Sequence, residues 1–219
     1  MSCLDTLAYH FPESVVATTV QALLKSAQEP ECREDPTKLE LVLTALAESS
    51  YVVTVADVVL PSILHEIKLK ASAGISEGVS VLSSLHELGA YCHCLYRVVE
   101  KGISGRASVA PGVPRSPHDL QKFLDLVCKK LTVVDVLVNT VLHIRHLGNT
   151  DELTDEFEEA QSEIYGVATD IVRMIMRVTD EVMQENILSS FDSAAKNFSQ
   201  FPVRISVTTF IYVDLREKQ

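Results

Sequence analysis

The side chains with the most chemical potential form a histidine pair, His143 and His146, three residues apart and in line with Asp135 and Asn139. On a helix, residues three or four apart are neighbours, so this polar stripe could ligate a metal or carry acid-base work. A zinc site needs a third and usually a fourth ligand, and the stripe offers only Asp135 as a weak addition. A solvated helix face explains the same residues with fewer demands. Cys92-His93-Cys94 looks like a second ligand cluster, but residues two apart on a helix point to different sides and do not converge on one ion. His86 and His93 share a stripe yet lie about 10.5 Å apart along a helix axis, too far for one metal.

Other motifs fail on context. Gly74-Ile75-Ser76-Glu77-Gly78 has the spacing of a nucleophile elbow, which requires a strand before the serine; here a helical pattern precedes it. His65-Glu66 and His86-Glu87 begin like a zinc-protease helix, but Leu69 and Ala90 stand where the second histidine belongs. No glutamate stands three residues before a histidine, so the paired metal motif of carboxylate bundles is missing, and there is no glycine-rich phosphate loop. The seven carboxylates between Asp151 and Glu163 read as an acidic helix start, favoured by the helix dipole, with a docking surface for a basic partner as the alternative. These residues imply no cofactor.

The elements that would position such groups are helices. From Leu153 to Phe198 no proline intervenes and Gly166 is the single glycine, which predicts one long helix or two nearly in line. One apolar stripe runs Phe157, Ala160, Ile164, Val167, Ile171, Met174, and a second runs Tyr165, Ala168, Val172, Ile175, Met183, Ile187, so this helix should be covered on more than one side. Phe11-Pro12-Glu13 opens a first helix ending near Gln28, and the two prolines between Glu29 and Pro36 predict a loop. Thr37 with Glu40 reads as the capping box of a second helix. Tyr51 to Leu60 is β-branched and ambiguous; its stripe Val53, Ala56, Leu60, Leu64, Ile67 favours a helix kinked at Pro61. Gly74 and Ser76 supply the next stop and cap.

A third helix follows Val81, Leu85, Leu88, Cys92, Leu95 and Val99 and should end before Gly102, giving way to an irregular linker over 102–116. Ser116-Pro117-His118-Asp119 opens a fourth, whose stripe Leu120, Leu124, Val127, Leu131, Val134, Val138, Val141 predicts one continuous helix, turned back by Gly148-Asn149-Thr150 onto its successor. After Pro202 the period changes to two: Val203, Ile205, Val207, Ile211 and Val213 alternate with polar residues, a strand pattern. A lone strand leaves its backbone groups unpaired, so these five residues are the expected partner-binding segment, pairing with another chain or a second copy.

Composition sets the class. The 219 residues, 47% apolar and without tryptophan, suit one large domain with an aliphatic core. A net charge of −11 disfavours nucleic acid and anionic lipid as partners. That charge is polarised, with +4 between Arg97 and Lys130 and −15 on the rest. The longest apolar run, Tyr51 to Leu64, contains Asp57 and Pro61 and is too short to span a bilayer. No signal-peptide pattern opens the sequence, and five irregularly spaced cysteines suit free thiols in a reducing compartment, cytoplasm or nucleus.

The expectation is therefore an all-α bundle of about five long amphipathic helices over residues 1–201, with a C-terminal strand over 202–219. Its expected role is a non-enzymatic interaction or scaffold subunit, with a protein partner or a second copy joined through that strand. Two alternatives stand beside it. One is a metal- or small-molecule-dependent bundle enzyme using His143, His146 and Asp135, with His86 and His93 facing them; the other is carriage of an apolar ligand between loosely packed helices.

Overall fold

The computed structural model describes residues 17–33, 35–49, 52–73, 81–104, 117–147 and 154–198. Among them every element is helical. In chain order these are α1 (Ala17–Gln28), α2 (Pro30–Arg33), α3 (Pro36–Glu48), α4 (Ala56–Ala73), α5 (Val81–Ser104), α6 (Pro117–Leu124), α7 (Val133–Leu147), α8 (Asp155–Val178) and α9 (Glu181–Phe198), with a π-helical turn, Asp125–Lys130, continuing α6. The described residues hold nine α-helices where about five were expected, because the chain breaks where its apolar periodicity does not. The expected strand over Val203, Ile205, Val207, Ile211 and Val213, the elbow-like 74–78 segment, the 148–150 turn and most of the 102–116 linker lie outside the described residues.

Helix α1 ends at Gln28 as its pattern requires, but the predicted loop holds the single turn α2. Helix α3 is capped by Asp35 rather than Thr37: Asp35 Oδ1 accepts the backbone N–H groups of Thr37 (3.1 Å) and Lys38 (3.3 Å), with Pro36 at the first helical position. Helix α4 starts only at Ala56, after a turn over Val52–Val55, and carries Pro61 within it. Helix therefore prevails over strand only from Ala56, where Val59, Leu60, Ile63, Leu64 and Ile67 all reach the core on helical spacing, while Val52–Val55 form a turn.

The centre of the bundle is α5, not the run from Leu153 to Phe198. It packs against α3, α4, α6 and α8, burying Leu85, Leu88, Cys92, Leu95 and Val99 along one stripe and Tyr91, Cys94 and Val98 on another. The helix passes straight through Gly102 to Ser104. Gly102 is no stop signal; its missing side chain leaves room for the ring of Phe123. Helix α8 runs antiparallel to α5: Gly89 faces Ile164, while Arg97 and Ala160 line a common groove. This brings the C-terminal end of α5 beside the acidic start of α8, where Thr154 Oγ1 caps the helix through the N–H of Phe157 (3.3 Å).

The predicted fourth helix is broken once, and the run from Leu153, read as one helix or two, forms two. The fourth is interrupted after the π turn, whose Leu131 N–H reaches back five residues to Leu126 O (2.9 Å); Thr132 then takes φ 45°, and its carbonyl accepts the Val136 N–H (3.1 Å) to begin α7. The run from Leu153 is interrupted at Thr179, which is extended (φ −94°, ψ 154°), and Asp180 Oδ1 caps α9 through the Met183 N–H (2.9 Å). Gln184 Nε2 donates to Met176 O (2.8 Å) and Thr179 O (3.1 Å), satisfying carbonyls that the break exposes. Beyond the break the chain changes partner: α8 packs on α5 and α7, α9 on α7.

Candidate functional site

Three clefts carry the polar side chains that sequence reasoning singled out. Two of them flank the junction between the π turn and α7. The first, about 360 Å³, opens between the junction and α9 and is lined by Lys129, Thr132, Asp135, Asp180, Asn186 and Ser190 among others. The second, about 370 Å³, lies between α4 and α7 and includes Lys68, Ser72, Asn139 and His143. Thr132 and Asp135 line both, so Asp135 forms part of the wall between them.

Asp135 sits in the first turn of α7 and is half-buried. Its Oδ1 accepts a hydrogen bond from Ser190 Oγ of α9, which ties the two helices together across the cleft. Partial burial holds its carboxyl above the ordinary carboxylate range, a shift moderated by a hydrogen bond from the Thr132 hydroxyl. Thr132 and Asp135, three residues apart, thus meet side chain to side chain at the start of α7, a spacing present in the sequence and hidden there by the apolar periodicity across it.

The structure brings Asp135 and His143 to one cleft. His143 is exposed, and its Nδ1 lies 2.7 Å from Asn139 O; a carbonyl can only accept, so this nitrogen carries the proton. Of His146 only the backbone is described. No group of three or more His, Cys, Asp or Glu side chains among the described residues is placed to hold a metal ion.

His86 and His93, expected to face His143, line a different place: a groove of about 440 Å³ over α5, walled by α3 and α8. His93 Nε2 lies 2.8 Å from Glu163 Oε1, Arg97 pairs with Glu48 at 3.6 Å, and Lys101 Nζ donates to Glu48 Oε2 (3.1 Å) and Ala47 O (2.6 Å) at the end of α3. Leu43, Ala47, Leu85, Gly89 and Ala90 give the groove its small and apolar lining. The acids Asp155, Glu156, Glu158 and Glu159 of the helix start are exposed, and of the described acids in that run Glu163 reaches the groove.

Cys92 and Cys94 are buried, and burial lifts both thiols to about 12; Cys94 Sγ donates to Leu43 O (3.5 Å). Cys128 is lifted to about 11, again mainly by burial.

Sequence reasoning missed a pair of buried carboxylates. In both His-Glu dipeptides it weighed the histidine, yet His65 and His86 are exposed, while Glu66 and Glu87 are 4% and 6% exposed. Glu66 Oε1 accepts from Gln28 Nε2 (3.2 Å), and Glu87 pairs with Lys70 across the α4–α5 interface. The available signal was position: Glu66 sits between Ile63 and Ile67, and Glu87 between Leu85 and Leu88, inside the apolar stripes.

The chain matches no protein-family model, no curated sequence and no solved structure. No described helix is long and apolar enough to cross a membrane.

Proposed function

We propose that this chain is a non-enzymatic interaction or scaffold subunit that receives a protein partner in the groove over α5. The observation that supports this reading is the construction of that groove. Small side chains, Ala47, Gly89 and Ala90, open it along α5, and Glu40, Glu163, His86, His93 and Arg97 give its lining both signs of charge. An apolar strip edged by charge is the receptor half of helix-in-groove recognition. Within the groove His93 is paired with Glu163, and elsewhere His143 is bonded to Asn139 and Asp135 to Ser190. In this reading the alternating segment Val203 to Val213 supplies a second contact, by strand pairing with another copy, in a reducing intracellular compartment.

Site-specific photo-crosslinking in cells tests the groove. A crosslinker at His86 should give a discrete adduct that a crosslinker at Asp192 of α9 does not, and Ala90→Arg should abolish it while the helical circular-dichroism signal persists. The same adducts from both positions, or an adduct indifferent to Ala90→Arg, would overturn the reading. Deleting residues 203–219 tests the second contact; an unchanged oligomeric state and unchanged adducts would remove it.

One observation favours a second reading, a small-molecule bundle enzyme: Asp135 and His143 open on the same cleft. Metal analysis of the purified protein separates the two, since stoichiometric metal lost in His143→Ala favours the enzyme.

A further inference from the structure

The two walls of the groove over α5 are acidic. Glu40 of α3 and Glu163 of α8 line it from either side of Gly89 and Ala90. Seven and four residues before Glu163, the exposed Glu156 and Glu159 carry the α8 wall toward its start, because residues so spaced share one face of a helix. The permanent cations of α5 are both set against one acid, Arg97 at 3.6 Å and Lys101 at 3.1 Å from Glu48. Lys38 of α3 pairs with its own cap, Asp35. No lysine or arginine among the described residues lies within ion-pair distance of Glu40, Glu156, Glu159 or Glu163, and Glu163 has the imidazole of His93 as its partner.

The floor between these walls sets the shape of the occupant. From His86 to Arg97 it follows α5 for about 16 Å, three turns of a helix. Ala47, Gly89 and Ala90 carry nothing beyond a β-carbon, so a second backbone can come close. Every described element is helical, so the floor offers no strand edge, and an occupant must satisfy its own backbone groups, as a helix does. Nucleic acid or an anionic membrane would bring negative charge to negative walls. We infer that the groove takes a basic amphipathic helix of a partner protein, with lysine or arginine along both flanks, one over Glu40 and the other over Glu156, Glu159 and Glu163. This inference rests on the groove being the partner site and adds the charge of what it receives.

Fluorescence anisotropy with the full-length chain tests it, using a lysine-flanked amphipathic peptide of about fifteen residues, long enough to hold a helix when bound, and its glutamate-flanked twin. The lysine peptide should bind saturably and lose affinity as salt rises, and the twin should bind about tenfold or more weakly. Glu40→Gln and Glu159→Gln, both at exposed positions, should each weaken the lysine peptide by a factor of about 1.5–5, the range of one exposed ion pair. Ala90→Arg should abolish binding, and Thr44→Arg, at an exposed position of the same lining, serves if that variant does not fold. If the twin binds as tightly and Ala90→Arg removes it, the charge assignment falls and the groove stands. Binding of both peptides that ignores Ala90→Arg and Thr44→Arg overturns the groove as well. Self-association of the chain that Ala90→Arg reverses makes the occupant a second copy and overturns the inference. Absence of saturable lysine-peptide binding overturns it too, and the His86 crosslink then decides the groove independently.

Discussion

Replacing a helical glycine by alanine ordinarily stabilises a helix, and this chain contains two helical glycines for which the structure predicts opposite signs. Gly166 lies on the exposed face of α8, and a β-carbon there meets nothing within 4 Å. Gly166→Ala should therefore gain most of the intrinsic helix preference, about 0.5–1 kcal/mol. At Gly102 the same gain is opposed, because the added carbon would overlap three atoms of the Phe123 ring. That ring is 4% exposed, so it cannot swing into solvent and must displace its neighbours. Overpacking of this kind costs about 1–3 kcal/mol, which outweighs the helix gain and leaves Gly102→Ala less stable by roughly 1–2 kcal/mol. Urea melts followed by circular dichroism should move the midpoint up for Gly166→Ala and down for Gly102→Ala at unchanged slope. Shortening the ring with Phe123→Leu should make Gly102→Ala tolerable, giving a double-mutant coupling of more than about 0.5 kcal/mol. If Gly102→Ala stabilises as much as Gly166→Ala, the close approach of α5 and α6 is wrong.

Other expectations follow from buried charge and buried thiols. Lys70→Met leaves Glu87 buried without its cation and should cost about 3–5 kcal/mol, whereas Lys70→Met with Glu87→Leu should recover most of the loss; equal melting of the two variants contradicts a buried ion pair. Cys92 and Cys94 stay protonated in the fold up to about pH 12, while the unfolded chain ionises near 9.0, so the native state holds more protons in that window and stability falls as pH rises. The loss approaches about 1.4 kcal/mol per pH unit per thiol, and Cys92→Val with Cys94→Val should flatten the slope of urea midpoints between pH 9 and 10.5. Asp135 has a raised carboxyl, so its stabilising contribution is complete below the unfolded value of 3.8 and is lost as pH rises through the folded one. Asp135→Asn should thus be more stable than the parent at pH 7 and no more stable at pH 3, and equal midpoints at pH 7 would show that burial does not disfavour its charge.

What the sequence made legible was helical phase. Leu60, Leu64, Leu88, Leu95, Ile164 and Ile171 were assigned to the core from spacing alone, and all are buried. The breaks were harder to read, because neither carries the glycine or proline that ordinarily marks one. At 131–132 and 179–180 the apolar spacing continues across the interruption, and the signal rests on Thr132 and Asp180, polar residues that a helix surface also accommodates. Gly102 misled in the other direction: glycine near a helix end usually supplies a left-handed cap, and here it supplies space. The two-stripe reading of the Leu153 run was sound for a physical reason. A four-three pattern drifts about 20° per heptad on a straight helix, so burial passes from Phe157 and Ile164 toward Ala168, Val172 and Ile175. Among the lining residues, Asp135, Asn139 and His143 beside α7 and His86 and His93 over α5 were legible in the sequence, whereas Thr132 and Asp180 come from breaks that periodicity conceals.

Those two breaks meet, for Thr132 and Asp180 line the same cleft, and the left-handed backbone at Thr132 gives the decisive test of how the cleft is held. A β-branched residue at φ 45° costs about 1–2 kcal/mol that glycine would not. Against this stands the hydrogen bond from its hydroxyl to Asp135, worth about 0.5–1.5 kcal/mol. The two magnitudes nearly cancel, so Thr132→Gly should change overall stability little, and a melting curve is the wrong assay. The carboxyl itself is the right one. Removing a donor that favours the charged form must push the Asp135 carboxyl further above the ordinary range, and a ¹³C titration of its side chain reads that directly. Thr132→Ser, which keeps the hydroxyl, should leave the titration where it is. A Thr132→Gly variant whose Asp135 titrates at or below the parent value would show that the threonine does not position this carboxylate, and that its backbone strain has some other counterweight.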